Sequence, residues 1–142
     1  TYRKMGEDMV TAIEGRLNWP AKKTVTPGLH IHGYAMDMNW SDPFYFYGSD
    51  AEKIKAASNG HWISEKLKLN QAQLHWAVQH EMARTVEDFL ARRTRALFLD
   101  AKESIRIAGE VAALMAQALH KDEAWAAAET KRFTILAKEY LL

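Results

Sequence analysis

Asp100-Ala101-Lys102-Glu103-Ser104-Ile105-Arg106-Ile107-Ala108-Gly109-Glu110-Val111-Ala112-Ala113-Leu114-Met115-Ala116-Gln117-Ala118-Leu119 is the stretch from which the architecture can be read. Ile105, Ala108, Ala112, Met115 and Leu119 step by three and four residues, which places them along one side of an α-helix and predicts a core-facing stripe. Asp100 stands where an N-cap belongs and Glu103 three residues later completes a capping-box pattern, so the helix is expected over Ala101 to Leu119.

Working outward, Asp122 caps a final helix in which Trp125, Ala128, Leu136 and Tyr140 are expected to share roughly one face. On the N-terminal side Thr85 with Asp88 repeats the capping pattern and opens a helix around Val86 to Arg92. Asn70 can cap Gln71 to about Met82, and Ser49 or Asp50 can cap a short helix through about Ser58 that ends at Asn59 and Gly60. Tyr2, Met5, Met9, Ala12 and Ile13 fall at helical spacing and predict a first amphipathic helix to about Gly15. That helix opens at residue 1 with no upstream chain to cap it, so we expect a boundary drawn through a larger protein.

Between the first helix and the rest, residues 18–48 contain all three prolines and no long periodic run. They also contain Trp19, Tyr34, Trp40, Phe44, Tyr45, Phe46 and Tyr47, a composition too aromatic for a free tether, and the segment is expected to lie pinned on protein surface. His30, Ile31 and His32 could form a short extended piece before a turn at Gly33. The expectation is an all-α fold: a small bundle of five or six helices with a long aromatic- and proline-containing linker after the first.

Composition narrows the function classes. The chain has 142 residues, 48% of them hydrophobic and 26% charged, which are globular values. Nineteen Lys plus Arg against 18 Asp plus Glu give a net charge of +1, which supplies no field that would draw nucleic acid or an anionic membrane. Without cysteine there can be no disulfide, thiolate metal site or Cys nucleophile. Val111 to Leu119, the most apolar run, is far too short to span a membrane, and a cytoplasmic protein is expected.

None of the candidate constellations assembles into a complete site. The seven glycines never occur as GxG, which removes a dinucleotide or Walker-type phosphate loop. His80-Glu81-Met82-Ala83-Arg84 begins like the zinc motif HExxH, but Arg84 replaces the second ligand, and no metal is expected. Glu81 falls instead on the side of Leu74, Ala77 and Val78, where a carboxylate needs a partner, so Glu81, Arg84, Arg92 and Arg93 are nominated as a structural salt-bridge network, with Arg95 also in reach. Arg92 to Arg95 could touch phosphate, yet Glu87 and Asp88 stand one turn away and favour a paired face. Phe44 to Tyr47 could stack on bases or a cofactor, with core or interdomain packing preferred. His30 with His32, or His75 with His80, provides no third or fourth metal ligand, and no nucleophile or paired-carboxylate site can be singled out.

Three stretches carry a family resemblance. Thr1-Tyr2-Arg3-Lys4-Met5, continuing to Val10, resembles the opening of the last flavin-domain helix in FAD-dependent glycerol-3-phosphate dehydrogenases and the related alpha-glycerophosphate oxidases. Tyr47-Gly48-Ser49-Asp50-Ala51 follows, and Trp76 through Arg95, with Leu97, Leu99 and Asp100, is similar to the helical C-terminal domain of that family nearly residue by residue. The resemblance covers essentially the whole chain in the same order, although Asn39 to Pro43 departs from the pattern.

The resemblance implies a division into residues 1–17, the last helix of an FAD-binding domain that is itself missing; 18–48, the linker; and 49–142, the helical C-terminal domain. It implies a parent that oxidises sn-glycerol 3-phosphate to dihydroxyacetone phosphate through FAD and passes electrons to quinone or oxygen. The substrate-binding residues would lie upstream, so the fragment alone is expected to be inactive and to hold no FAD. Only Thr1 and Tyr2 match positions adjoining the cofactor. The implied partner is the FAD-binding domain of the same chain, with a homo-oligomer as a further option and a peripheral position on the cytoplasmic membrane face for the parent. The alternative is a standalone helical protein-interaction module without redox function.

Overall fold

A computed structural model describes residues 1–141 as two compact units, Thr1–Met36 and Asp37 onward. In the first unit, α1 spans Tyr2–Arg16 and buries none of its residues. Its polar side is knit by ion pairs one turn apart, Arg3 to Glu7 at 2.6 Å and Lys4 to Glu7 and Asp8 at 3.0 and 3.1 Å. Arg3 also donates to the Thr26 hydroxyl at 3.2 Å, tying the helix to a short 3-10 turn, Thr26–Gly28, that begins around Pro27. The expected extended piece at His30 to His32 is absent. The chain turns there instead, with Tyr34 N–H on the Ile31 carbonyl at 3.0 Å, Gly33 at φ 77°, and the His30 ring stacked on Tyr34 at 4.0 Å.

In the second unit the helices are α2 (Ala51–Ala56), α3 (Gln71–His80), α4 (Ala96–Leu99), α5 (Ala101–Leu119) and α6 (Glu123–Lys138). A 3-10 segment, Tyr45–Asp50, precedes α2 and bends at Gly48, whose φ of 56° and ψ of −124° are open to glycine and strained for other residues. The aromatic segment thereby enters the fold: Phe44 and Tyr47 are buried with Ala51, Ile54 and Ala72 in a small core flanked by Trp62 and Trp76. Tyr45 and Phe46 stay at the surface. Residues 37–48 therefore belong to the same compact unit as the helices that follow.

Two features depart from the helical expectation. A small antiparallel hairpin pairs β1 (Trp62–Ser64) with β2 (Leu69–Asn70). Strands of two and three residues are too short to show alternation in sequence. The helix expected at Val86 to Arg92 begins as predicted, with reciprocal bonds between Thr85 and Asp88 at 3.0 and 3.1 Å, but Asp88–Arg93 winds as a π-helix. Its wider turn is visible where the Thr94 N–H reaches the Phe89 carbonyl at 3.0 Å, five residues back.

The main core gathers around α5, which packs against α6, α3, α4 and β1. Ala108, Ala112 and Met115 of the expected stripe are fully buried, joined by Ser104, Ile107 and Val111, while Ile105 and Leu119 lie at its margin. Both predicted caps are present: Asp100 accepts from the Glu103 N–H at 2.9 Å, and Asp122 from the Trp125 N–H at 2.8 Å. Asn70 caps α3 in a full box with Gln73, at 2.9 and 2.8 Å. That helix ends at His80, before Met82, which takes a left-handed φ of 59°. The buried side of α6 matches the expected one only in part, with Trp125 and Leu136 packed at the core margin. Glu129, Phe133 and Ala137 face inward in steps of four, whereas Ala128 and Tyr140 are exposed. Among the described residues no helix is long and apolar enough to cross a membrane.

Glu129 is the polar member of that ladder. Its carboxylate is nearly buried and accepts the Val86 N–H at 3.1 Å, satisfying a donor at the start of the π segment from another helix. Removing the acceptor leaves a buried N–H unpaired, so Glu129→Ala should lose about 1–3 kcal/mol, while Glu129→Gln, which keeps an acceptor, should lose less; urea unfolding measures both.

Glu103 gives the fold an acid sensitivity. The Arg106 guanidinium first, then the Ser64 hydroxyl, hold its carboxyl at about 2 instead of the ordinary 4.5, against an opposing effect of burial. A depressed carboxylate stabilises the fold above its unfolded pKa, and that contribution is lost as pH falls through the folded value. Glu103→Gln should therefore flatten the loss of stability between about pH 4.5 and about pH 2, read from thermal midpoints across that window.

Candidate functional site

The two residues expected beside a cofactor, Thr1 and Tyr2, form the first turn of α1. Thr1 occupies the N-cap without a side-chain capping bond, and the first turn carries no acidic residue. The first intrahelical bond runs from the Met5 N–H to the Thr1 carbonyl at 3.1 Å, so the N–H groups of Tyr2, Arg3 and Lys4 have no intrahelical acceptor. Three backbone donors and the positive end of the helix dipole favour carbonyl oxygen or negative charge at this point. Tyr2 is 89% exposed in this unit.

The second group of nominated residues surrounds the π-helix. Glu81, the C-cap residue just past α3, meets Arg93, whose guanidinium donates twice to the Glu81 backbone carbonyl at 2.9 and 2.6 Å and passes its carboxylate at 4.0 Å. Arg84 donates to the Val78 carbonyl at 3.3 Å. Both arginines thus serve carbonyls at the C-terminal end of α3, where the helix has no N–H left to offer and its dipole favours a cation. Arg92 turns away to Glu87, at 2.6 Å, and to Asp88. The structure therefore joins Glu81 to Arg93 and directs Arg84 and Arg92 to other acceptors.

Asp88 is the anchor of this corner. Burial pulls its carboxyl upward, but the Arg84 N–H, Thr85 and Arg92 outweigh it and hold the group below the usual 3.8. The result is a charge-compensated joint between α3 and the π segment, in which Asp88 stays ionised at neutral pH. Among the described residues no three His, Asp or Glu side chains come together as a metal site. His80, the first residue of the HExxH-like stretch, lies over the Trp76 ring at 4.0 Å.

Sequence reasoning did not single out Glu129, Ser64 or Gln73 as buried polar residues. For Glu129 a signal was present: it stands four residues from both Trp125 and Phe133, a carboxylate within an apolar ladder, and such a position requires a hydrogen-bond donor. For Ser64 no signal existed, because its partner Glu103 comes from a distant helix.

Comparison with known proteins follows the same segment. A family model described as the C-terminal domain of alpha-glycerophosphate oxidase matches residues 33–126. The mitochondrial glycerol-3-phosphate dehydrogenase of Schizosaccharomyces pombe is 34% identical over 94 residues, covering 66% of this chain and 13% of that protein. The chain thus spans only a small part of the length of the relative it matches. No solved structure matches the chain. The helical unit built on α5, with its arginine-capped α3 and its π segment, falls largely within the matched residues, and the chain belongs to the family of the C-terminal domain of alpha-glycerophosphate oxidase.

Proposed function

We propose that this chain is the C-terminal part of an FAD-dependent sn-glycerol-3-phosphate dehydrogenase, a parent that oxidises glycerol 3-phosphate to dihydroxyacetone phosphate and hands the electrons to quinone or oxygen. The observation that carries the proposal is the family match over residues 33–126, together with a relative named as a mitochondrial glycerol-3-phosphate dehydrogenase. The flavin, when bound, supplies hydride acceptance. What this chain contributes is local. The open N–H groups at the start of α1 fit the carbonyl-bearing pyrimidine edge of a flavin, and the dipole end favours negative charge there, so Thr1 and Tyr2 are the residues assigned to the cofactor.

The remaining residues have structural roles in this reading. Residues 1–17 are the closing helix of the flavin domain, 18–48 the connection, and 49–142 a helical domain that packs on the rest of its parent. The apolar side of α1, with Met5, Met9 and Ile13 exposed, supports a flavin domain as its partner. A homo-oligomer and a peripheral position on the cytoplasmic membrane face belong to the parent in this proposal. A standalone interaction module would be equally silent in catalytic residues, but nothing in the family match favours it.

The gene product that includes the upstream flavin domain should purify yellow and reduce a dye with glycerol 3-phosphate, whereas residues 1–142 should do neither. A colourless, inactive longer product would sink the proposal, as would turnover by this chain alone. In the longer protein, Thr1→Asp sets a carboxylate beside the flavin and should lower its midpoint potential relative to Thr1→Ser. Equal potentials in a redox titration would remove Thr1 from the cofactor's surroundings.

A further inference from the structure

Two sequence features that were set aside separately, the aromatic run at Phe44 to Tyr47 and the arginine run at Arg92 to Arg95, meet in the second unit. Tyr45 and Phe46 from one, and Arg93 to Arg95 from the other, line a single cleft of about 620 Å³. Phe98 and Lys68 complete its aromatic and basic character. The size falls within the range of small-molecule sites.

The basic charge of this cleft is only partly compensated, Arg93 alone having a carboxylate, that of Glu81, within 4.0 Å. No Asp or Glu lines it. Arg93 is engaged with the Glu81 carbonyl, and its guanidinium is thereby fixed in place. Among the described residues the Arg95 side chain has no hydrogen bond or ion pair, and Lys68 has only the face of Trp62, 5.9 Å from its ammonium. Several exposed cations elsewhere in the unit are paired, Lys53 with Asp50, Lys55 with Glu52 and Asp42, and Arg106 with Glu103, while Lys102, Lys121, Lys131 and Lys138 stand open, among the described residues, outside the cleft lining. Two cations in a concavity without counter-charge attract an anion.

Backbone geometry marks the same two residues, as it does Asn18, Met82 and His120 elsewhere in the chain. Lys68 and Arg95 hold left-handed φ values of 53° and 59°, positions where glycine or asparagine would be less strained. Arg95 stands two residues beyond the end of the π segment, whose wider turn sets the phase at which the chain delivers Arg93, Thr94 and Arg95 to the cleft. Strained residues held this way cluster at ligand clamps. Tyr45, Phe46 and Phe98 are 38, 48 and 56% exposed as residues, and although Tyr45 also meets Trp40, Phe46 meets Tyr47 and Phe98 meets Tyr140, all three line the cleft with aromatic surface.

We propose that this cleft binds a small anionic molecule with a planar aromatic body, of the chemistry of a nucleoside monophosphate. The ring lies against Tyr45, Phe46 and Phe98, and the phosphate against Lys68 and Arg95. The site is one nucleotide in size, and the chain as a whole has a net charge of only +1, which favours a free small molecule over a nucleic-acid strand.

The test is calorimetric titration of the 142-residue chain with AMP, adenosine, inorganic phosphate and a short single-stranded oligonucleotide at low and moderate salt. AMP should bind saturably with one site, and adenosine and phosphate alone should each bind about tenfold or more weakly, since each lacks one of the two contacts. Arg95→Gln and Lys68→Gln should each weaken AMP by about five- to tenfold with an unchanged circular-dichroism spectrum, while Lys131→Gln, on the exposed side of α6, should not. The proposal fails if AMP shows no saturable binding at millimolar concentration, if all three variants weaken it equally, or if the oligonucleotide binds far more tightly than AMP.

Discussion

The second unit depends on the burial of α5. Ala108, Ala112 and Val111 give this helix a narrow inner face, and small side chains let a neighbouring helix approach closely. The larger groups that fill the remaining space come from its neighbours, Phe133 from α6, Leu74 and Val78 from α3, and Phe89 and Leu90 from the π segment. Each of these elements is too short to persist in water by hydrogen bonding alone, so its helicity derives from its place on α5.

That dependence explains why polar residues occur at the seams. Three helices that converge on one must start and stop inside or beside the core, and every stop leaves backbone donors or acceptors to satisfy. The structure meets the need with side chains from other elements. Glu129 of α6 takes the Val86 N–H, Arg93 of the π segment takes the Glu81 carbonyl, and Glu103 of α5 takes the Ser64 hydroxyl of the hairpin. The charged residues that resemble a catalytic cluster in sequence are thus largely end-fittings for helices. Among the cations not used in this way, Lys68 and Arg95 line the cleft.

Much of the fold was legible because its signals are local. The Asp100, Asp122 and Asn70 caps each involve a side chain and an N–H three residues later. The stripe on α5 follows from helical periodicity alone, although its breadth depended on neighbours. Part of the α6 face was misjudged because Ala128 is apolar but small, while Glu129 is charged yet nearly buried; only the Val86 N–H opposite makes burying that carboxylate favourable. The hairpin at Trp62 to Asn70 was missed because its strands carry too few residues to show a period.

The sequence by itself determined the capped starts of α3, α5 and α6, the absence of a phosphate loop and, through the resemblance over Trp76 to Arg95, the family. These are properties of residues within one or two turns of each other, or of a residue order that survives without coordinates. Tertiary structure alone decided which charges are spent on helix ends and which remain open, and it brought Phe46 and Arg95 to one cleft. The π-helical turn belongs with these decisions, since its hydrogen bonds differ from those of an α-helix by a single residue in reach. Nothing in the local pattern of Asp88 to Arg93 distinguishes the two windings, and in the folded chain the π turn carries Phe89 and Leu90 into the core built on α5.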